Sequence, residues 1–562
     1  MKLRKVVIEN FRGIKHLELE LDDTTVLLGE NNTGKTAALE AIRICLRDVG
    51  PRRRIAFDTY DVHLDSATAD PSLAEPIRIE LTFGEEKMGD WDKDLVGRLN
   101  RQRILQVDGE GRSHVVLFVS FGFDAGTKEF SQGWAFMNLK GQSLTNVSET
   151  ALGTLQREVA YYYLAALRDA ARHFDAKGPY WRPFLKDGQL SPEKRVEIET
   201  KLREVNDLVV QSHGSFEKAR ERLQRVQDVV PMASGDVVSI DAVPSRISDM
   251  LSNAQVSLGT ATGAKVPIGR HGEGTQSLAV LMLFSAFLEA WPNGSPIVAL
   301  EEPEAHLHPS AVRALWCIVD RIPGQKIIST HSGDLMSEID ILHVRRLAKT
   351  ANGIQSFRVP EGLLSDEETR KFNYQVRRNR GELLFARSWL LVEGETESWI
   401  YPGAARALKI DLSRTGVRLV EYSQTDVGVI AKVANALGIP WFCVADDDLG
   451  RTKYEDTIRK NFGSAVEADR LIFPYRNMET HLLSNGYDDV YASFMTAQNL
   501  AKISKKPCDS SYWSDYADNL PGRSKPRVAA MIAAKMQERG ASGVTAEIKG
   551  ILEKMVALAG TV

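Results

Sequence analysis

The stretch that decides the fold of the N-terminal half spans residues 26–42 and reads Val26-Leu27-Leu28-Gly29-Glu30-Asn31-Asn32-Thr33-Gly34-Lys35-Thr36-Ala37-Ala38-Leu39-Glu40-Ala41-Ile42. An apolar strand, a GxxxxGKT turn and an apolar helix in this order predict a P-loop. In such a turn the backbone N–H groups surround phosphates at a helix N-terminus, the lysine reaches the outer phosphates and the threonine hydroxyl is placed for Mg²⁺. We therefore expect ATP to bind here, against Asn31, Asn32, Gly34, Lys35 and Thr36.

A second nucleotide element follows the apolar residues 297–300, which predict a strand that ends in Glu301 and Glu302. At the C-terminal end of a strand, one carboxylate can hold Mg²⁺ through water and the next can orient the attacking water. We assign these roles to Glu301 and Glu302 in that order. Just beyond, His306 and His308 form either a metal-binding trio with Glu304 or part of a loop that leads into a helix.

Two further stretches belong with the nucleotide elements. Residues 272–277, Gly-Glu-Gly-Thr-Gln-Ser, form a glycine-rich turn that opens an apolar helix over residues 278–288. Residues 326–329 predict another strand, and His331 beyond it has the usual position of a γ-phosphate sensor.

These motifs, together with Ile8-Glu9-Asn10-Phe11-Arg12-Gly13-Ile14, resemble the ABC-type ATPases related to RecF and SMC proteins over roughly residues 1–359. The resemblance implies that the turn ending in Ser277 closes on the nucleotide held by a partner subunit, so that ATP joins two subunits. Glu301 departs from the wider ABC pattern, which usually has Asp there, but it still supplies a carboxylate.

Residues 191–232 are rich in charged and aliphatic residues, with apolar positions at near-helical spacing. A break at His213-Gly214-Ser215 predicts two antiparallel helices, both far shorter than an SMC arm. We interpret them as a dimerisation insert, the alternative being a solvated hairpin without a partner. Upstream, the tyrosines at 161–163 lie close to the basic residues Arg168, Arg172 and His173, a combination that can contact DNA; the alternative is that the aromatic cluster belongs to the core.

The C-terminal part alternates predicted strands and helices. Strands are predicted over residues 388–392, 417–422 and 441–445, with helices between them, after a charged linker helix. Such alternation predicts a parallel sheet whose active groups project from the strand C-termini. Glu393 follows the first of these strands, and Asp446, Asp447 and Asp448 follow the last.

This order resembles the Toprim fold, whose pattern of a glutamate after the first strand and DxD after a later one is matched by Glu393, Asp446 and Asp448. Hard oxygen ligands favour Mg²⁺ or Mn²⁺, and two such ions can cleave a phosphodiester. Glu397, one helical turn after Glu393, is expected to face the same way as a fourth ligand. Glu479 is either a fifth ligand or a structural acid at a helix start. Lys525, before a helix, either contacts the scissile phosphate or caps that helix on the surface.

An ABC ATPase followed by Toprim resembles the overcoming-lysogenization-defect (OLD) nucleases, which include the nuclease subunit of the Gabija anti-phage system. The resemblance implies an α/β protein that cleaves or nicks DNA with a metal, works as a homodimer or tetramer and, in the Gabija-like class, has a UvrD-like helicase partner. The expected division is an ATPase part over 1–165, a helical dimerisation insert over 166–235, the rest of the ATPase over 236–360, a linker helix over 361–385 and Toprim with a helical extension over 386–562.

The composition limits how the protein can bind nucleic acid and indicates its cellular compartment. The chain has 562 residues and a formal net charge of -4, which argues against a protein that binds nucleic acid over its whole surface. Any DNA contact must therefore be local, along a groove or patch. Its four cysteines make no CxxC pair, which suggests neither a zinc site nor a disulfide framework and fits the cytoplasm. We predict no membrane segment and no export signal.

Three functions compete. The first is a nucleotide-gated DNA endonuclease in anti-phage defence, and the second is an SMC/RecF-like ATPase clamp with a non-cleaving Toprim scaffold, which the intact acidic set disfavours. The third is a topoisomerase or primase relative, which lacks support because the sequence offers neither an obvious separate domain for a nucleophilic tyrosine nor a primase zinc ribbon.

Overall fold

The computed structural model describes residues 1–50, 55–66, 68–165, 191–212, 214–215, 243–244, 257–259, 265–290, 296–350, 353–379, 381–423, 425–448, 450–521 and 525–560. The chain divides into two compact units. The first comprises Met1–Tyr163, Ser295–Ala299 and Gly324–Val562, and the second comprises Leu164–Gly294 and Leu300–Pro323.

An antiparallel sheet occupies most of the N-terminal region. The elements there are β1 (Lys2–Phe11), β2 (Ile14–Glu20), β3 (Thr24–Leu28), α1 (Lys35–Arg43), β4 (Ile77–Gly84), α2 (Lys93–Arg101), β5 (Gln106–Val107), β6 (Ser113–Asp124), β7 (Glu129–Met137), α3 (Ala151–Glu158) and β8 (Tyr161–Ala165). The sheet order is β2-β1-β4-β6-β5, with β7 beside β6. In β1 an irregularity between Leu3 and Lys5 shifts the register against β4, and it lets both Leu3 and Val6 face the core.

The next elements run to residue 357. They are α4 (Pro192–Ser212), β9 (Ser257–Leu258), β10 (Val266–Pro267), α5 (Glu273–Ala290), β11 (Ile297–Glu301), α6 (Pro309–Arg321), β12 (Gln325–Ser329), α7 (Gly333–Met336), β13 (Val344–Thr350) and β14 (Gly353–Phe357).

The P-loop strand lies inside a second sheet, of order β14-β13-β3-β12-β11-β8. β3 is parallel to both neighbours, since Val26 pairs with Ile328 of β12 and with Val344 of β13. Every residue of β3 is buried, which explains its continuous apolar and threonine sequence. The strands and helix predicted around the P-loop are confirmed, and Tyr161 is a core residue whose hydroxyl donates to the carbonyl of Leu39 at 3.0 Å.

In the second unit, β9 pairs antiparallel with β10, and α5 packs against α6. Helix α4 confirms the first of the two helices predicted for the insert, and it exposes Val196, Val205 and Leu208. The second predicted helix and the basic group Arg168, Arg172 and His173 lie outside the described residues. The dimerisation role of the insert stays a prediction.

A four-stranded parallel sheet forms the core of the C-terminal region. The elements are α8 (Asp366–Arg378), β15 (Ser388–Val392), α9 (Glu395–Ala407), α10 (Leu412–Thr415), β16 (Val417–Glu421), α11 (Val427–Ala436), β17 (Trp441–Val444), α12 (Arg451–Phe462), α13 (Ser464–Arg470), β18 (Leu471–Ile472), α14 (Met478–Leu482), α15 (Asp488–Ala492), α16 (Ala497–Leu500), α17 (Tyr512–Asp518), α18 (Lys525–Arg539) and α19 (Ala546–Ala559). The sheet order is β16-β15-β17-β18.

This arrangement confirms the alternation predicted from the sequence. A helix, α8, lies within the predicted linker, and its role as a linker stays a prediction. All three pairings in the sheet are parallel, so the residues after β15 and after β17 meet at one edge. Helices α18 and α19 both pack against α9, and Gly403 permits the closest approach, because a Cβ there would lie 2.5 Å from that of Ala533.

In the part of the chain that the structure describes, none of the helices has the length and apolar composition needed to cross a bilayer.

Candidate functional site

The P-loop closes around the side chain of Lys35. Its ammonium donates to the carbonyl of Gly29 at 2.8 Å and to that of Glu30 at 2.9 Å. Gly29 has a φ of 155°, and a Cβ there would lie 2.5 Å from the carbonyl of Leu347, so this position requires glycine. Asn31, Asn32 and Thr36 are exposed around the turn, where a phosphate bound at the N-terminus of α1 would meet them.

His331 lies at the same edge of the sheet as the P-loop. β12 ends at Ser329, and the pairing with β3 continues one residue further, because the Thr330 N–H donates to the carbonyl of Leu27 at 3.3 Å. His331 is exposed, and the next residue, Ser332, caps α7 through its hydroxyl. The geometry is compatible with a γ-phosphate sensor, which remains a proposal.

Within the second unit, Glu302 has a φ of 43°, so the backbone turns sharply after Glu301, the last residue of β11. The loop that follows contacts the start of α5, where the imidazole of His306 lies 3.2 Å from the carboxylate of Glu273. His308 caps α6 by accepting the Ser310 N–H. The helix-leading loop therefore accounts for both histidines, and no metal-binding trio occurs among the described residues.

Ser277 does not lie on the surface. Because α5 begins at Glu273, Ser277 falls in its second turn, on the buried side that also carries Val280, Leu281 and Phe284. Its side chain is 1% exposed, so the hydroxyl has no access to a nucleotide held by another subunit in this conformation. Thr275, two residues earlier, is exposed. It is the hydroxyl of this turn that a partner could reach.

Glu393 and Asp446 follow neighbouring parallel strands. β15 ends at Val392 and β17 at Val444, and the two strands pair directly. The carbonyl of Glu393 accepts the N–H of Ser423, just beyond β16, at 3.1 Å. Both acids are partly buried. The two carboxylates therefore share the edge of the sheet that the sequence predicts.

Glu397 joins this group for a reason other than the expected one. Helix α9 begins at Glu395, so Glu393 precedes the helix and the two acids are not a helical pair. Instead the Glu397 carboxylate turns back to accept the N–H of Gly394 at 3.2 Å. With 6% of its surface exposed, Glu397 is the most buried acid of the cluster.

Glu479 lies at a helix start, as one of its two predicted descriptions requires, and its role as a fifth ligand stays a prediction. It lies in the first turn of α14, which Asn477 caps through the N–H of Thr480 at 2.8 Å. Its side chain is buried, and its charge raises the pKa values of Glu393, Glu397 and Asp446.

Burial and mutual repulsion dominate the electrostatics of the cluster. Burial raises the pKa of Asp446 to about 8, and the charges of Glu397 and Glu393 add to the effect. Burial likewise raises the pKa of Glu397 to about 7. For Glu393, burial raises the pKa while the backbone of Asp446 and the hydroxyl of Tyr454 act against it. Near neutral pH the group therefore holds protons that a cation would displace.

The donor set fits a hard divalent cation. The Oε2 atom of Glu393 is buried and has no hydrogen-bond partner within the part of the chain that the structure describes, and the surrounding donors are carboxylate oxygens, which Mg²⁺ and Mn²⁺ prefer. Among the described residues, no three acidic, histidine or cysteine side chains converge closely enough to hold one ion. The carboxylates thus form an acidic basin whose side chains must move together to coordinate a metal.

The other two aspartates of the acidic turn differ in direction. Asp447 is exposed and pairs with Arg451 at 2.9 Å. Asp448 accepts the Gly450 N–H at 2.7 Å, and its charge raises the pKa values of Glu393 and Asp446. Asp448, which is also exposed, therefore acts on the basin through its charge, and its role as a ligand stays a prediction.

Helix α18 begins at Lys525, as the sequence predicts. The side chain of Lys525 lies outside the described part of the chain, so its contact with a phosphate stays a prediction.

The structure adds residues that the sequence did not single out. The hydroxyl of Tyr401 in α9 lies 2.9 Å from that of Tyr475, four residues before Glu479. The ring of Tyr454 contacts Tyr422 edge-on, with centroids 5.4 Å apart, beside Glu393. The only signal in the sequence is the nearness of these tyrosines to the acids along the chain, which is too common a feature to select them.

Two family models match the chain. Residues 1–382 match the family described as "Protein of unknown function (DUF2813)". Residues 384–448 match the model described as "Overcoming lysogenization defect protein-like, TOPRIM domain". The second match spans β15 to the acidic turn and includes Glu393, Asp446 and Asp448.

Three curated proteins are similar over most of their length. The uncharacterised protein YbjD of Escherichia coli is 26% identical over 100% of this chain and 99% of its own. The OLD nuclease of Thermus scotoductus is 23% identical, over 80% of this chain and 82% of its own. The endonuclease GajA of Bacillus cereus is 22% identical, over 81% and 76%. The predicted fold class, an ABC-type ATPase followed by an α/β Toprim domain, is confirmed.

Proposed function

The chain belongs to the DUF2813 family and is an OLD-family ATPase–Toprim protein, and we propose that it is a DNA endonuclease whose metal-dependent Toprim site responds to nucleotide. The observation that carries the proposal is the acidic basin. Buried carboxylates that repel one another destabilise the ionised protein unless a ligand compensates their charge, and such strongly raised pKa values are typical of functional sites.

The acidic residues divide the work of hydrolysis. Glu393, Asp446 and Asp448 would hold one divalent ion, and Glu397 with Glu479 would complete a second site. Such ions supply an activated water and charge neutralisation at the phosphodiester. The protein's own contribution is to fix the carboxylates: Gly394 orients Glu397 through its N–H, and Ser423 holds the backbone of Glu393. Lys525 would contact the scissile phosphate.

The nucleotide site supports regulation by ATP. Lys35 and Thr36 would bind the β- and γ-phosphates and Mg²⁺, with Asn31, Asn32 and Gly34 lining the turn. In the second unit, Glu301 would hold Mg²⁺ through water and Glu302 would orient the attacking water. His331 would sense the γ-phosphate. Two subunits would meet through the turn at Thr275 and Ser277, with Thr275 making the contact.

The similarity to the OLD nuclease and to GajA supports a further proposal about assembly and biological setting. We infer a cytoplasmic homodimer or tetramer that binds DNA locally, since the net charge of -4 excludes a general nucleic-acid coat. The similarity to GajA motivates a role in anti-phage defence of the Gabija type, with a UvrD-like helicase as partner.

The decisive experiment incubates the full-length protein with supercoiled plasmid and Mg²⁺ or Mn²⁺. Glu393→Gln and Asp446→Asn should abolish nicking and linearisation. The matched control is Asp447→Asn, because Asp447 lies in the same turn but pairs outward with Arg451. Equal plasmid loss in wild type and all three variants would refute the assignment. Retention of plasmid without any cleavage, combined with ATP-dependent DNA binding, would instead indicate the SMC/RecF-like clamp.

A further inference from the structure

An ion pair joins the P-loop directly to the Toprim domain. The guanidinium of Arg387 contacts both carboxylate oxygens of Glu30, with Nε 2.5 Å from Oε1 and Nη2 2.8 Å from Oε2. Glu30 is the second residue of the P-loop, and Arg387 immediately precedes β15. The two residues are 357 positions apart in the sequence. This bidentate contact is therefore a tertiary link between the nucleotide-binding loop and the Toprim domain.

The P-loop end of the link touches the phosphate-binding lysine. Lys35 donates to the carbonyl of Glu30 at 2.9 Å as well as to that of Gly29. Phosphates of a bound nucleotide attract the same ammonium. Nucleotide binding would therefore change the hydrogen bond that the Glu30 carbonyl accepts from Lys35. The side chain of the same residue contacts Arg387.

The Toprim end of the link is packed and hydrogen-bonded from Arg387 up to Glu393. The Arg387 N–H donates to the carbonyl of Gly416 at 2.9 Å, and a Cβ on Gly416 would collide with the Arg387 side chain. β15, from Ser388 to Val392, is buried at every position and is hydrogen-bonded on both edges. Glu393 follows it at once, about 20 Å along the strand from Arg387. A packed strand therefore connects Arg387 to Glu393, one of the proposed metal ligands.

A second arginine supplies a fixed point beside this link. Arg346 in β13 pairs with Leu28 at the end of the P-loop strand. Its guanidinium donates to the carbonyls of Leu437 and Gly438 at 3.1 Å each and to that of Ala386 at 3.4 Å. Arg346 is buried, whereas the side chains of Arg387 and Glu30 are 38% and 49% exposed. The buried contact holds the two parts together, and the exposed pair is free to rearrange.

We propose that the Glu30–Arg387 ion pair transmits nucleotide occupancy of the P-loop through β15 to Glu393. The effect on cleavage rests on the nuclease function proposed above, while the movement of β15 does not. Arg387 is a positioning residue, since its guanidinium contacts the Glu30 carboxylate and the whole of β15 separates it from Glu393.

The test compares Arg387→Gln with wild type, with and without a non-hydrolysable ATP analogue and Mg²⁺. A matched control is Arg418→Gln, because Arg418 also forms a half-exposed ion pair, with Glu382 at 3.1 Å, and lies in the same sheet. Two quantities are measured: hydrogen exchange of peptides covering residues 388–393, and the plasmid cleavage rate.

In wild type and in Arg418→Gln, the analogue should alter exchange over 388–393 and change the cleavage rate about fivefold or more. In Arg387→Gln both responses should vanish, with the analogue's Kd within about threefold of wild type because an exposed ion pair contributes little to binding elsewhere. The charge reversal Glu30→Arg with Arg387→Glu should restore part of the exchange response.

The outcomes separate the two proposals. An Arg387→Gln protein that keeps the wild-type exchange response overturns the coupling, and so does a wild type whose exchange over 388–393 ignores the analogue. A wild type that cuts no DNA but shows nucleotide-dependent exchange, lost in Arg387→Gln, refutes the nuclease function and supports the coupling.

Discussion

The hydroxyl groups of Tyr401 and Tyr475 lie 2.9 Å apart in the core of the Toprim domain. Tyr401 belongs to α9, the helix that carries Glu397, and Tyr475 precedes the helix that carries Glu479. The carbonyl of Tyr475 also accepts the N–H of Asp447 at 3.0 Å. Tyr475 therefore ties together the three segments that deliver acids to the basin.

Replacing Tyr475 with Phe should reduce metal binding at the acidic basin more than it reduces the stability of the fold. The change leaves the buried Tyr401 hydroxyl without its partner, at a cost of about 1 to 2 kcal/mol. We expect a lower thermal midpoint and a higher Mg²⁺ concentration for half-maximal plasmid cleavage, because Glu397 and Glu479 lose a shared restraint.

The double variant Tyr401→Phe with Tyr475→Phe is the control for that prediction. Removing both hydroxyls leaves no unsatisfied partner, so it should recover much of the lost stability. If Tyr475→Phe has the stability and Mg²⁺ dependence of wild type, the pair does not organise the site.

Asp446→Asn should stabilise the metal-free protein at alkaline pH. Burial raises the folded-state pKa of Asp446 to about 8, far above its ordinary value near 4. The folded state therefore holds a proton that the unfolded state releases, and folding stability falls as pH rises between about 4 and 8. In EDTA, the variant should melt at a temperature at least about 2 °C above that of wild type at pH 8.5, and the difference should shrink toward pH 5.

Added metal should reverse the order of the melting temperatures of wild type and Asp446→Asn. Mg²⁺ at pH 8.5 should raise the melting temperature of wild type, because it binds only the folded state, and should have less effect on Asp446→Asn. Asp447→Asn, at an exposed position, should follow wild type in both conditions. A variant that melts below wild type in EDTA at pH 8.5 would mean that repulsion in the basin does not destabilise the fold.

The sequence allows the positions of the strand ends to be predicted, but not the contacts between residues that are distant along the chain. Glu393 and Asp446 were identifiable because an apolar run before each acid fixes a strand, and parallel strands bring their C-terminal ends together. Helical spacing placed Glu397 beside Glu393, whereas in the structure a hydrogen bond from Gly394 turns its carboxylate back; its role as a ligand stays a prediction. The burial of Ser277 could not be read from the sequence, because the start of α5 sets which side of the helix it faces; its contact with a nucleotide stays a prediction. The contacts of Arg387 and Tyr475 could not be predicted, since their partners lie 357 and 74 residues away along the chain.

The two nucleotide variants should fail in different ways. Lys35→Ala removes the cation that reaches the phosphates, so nucleotide binding should weaken by about tenfold or more. Glu302→Gln keeps the fold and the binding but loses the group that orients water, so ATP turnover should fall about 100-fold. Binding is measured with a fluorescent ATP analogue and turnover by phosphate release. Full turnover by Glu302→Gln would contradict the assignment.

Arg346 should be the strongest single anchor between the P-loop sheet and the Toprim domain. Burial lowers its pKa to about 10, so it remains charged at neutral pH while it donates to the carbonyls of Ala386, Leu437 and Gly438. Arg346→Met would leave these acceptors without their donor, at a cost of about 3 kcal/mol. Limited proteolysis of the full-length variant should then release a Toprim fragment faster than from wild type. Arg358→Met is the control, because Arg358 forms only an exposed pair with Glu20 and should cost less than about 1 kcal/mol. Equal proteolysis of both variants would show that the carbonyl contacts of Arg346 do not hold the domains together.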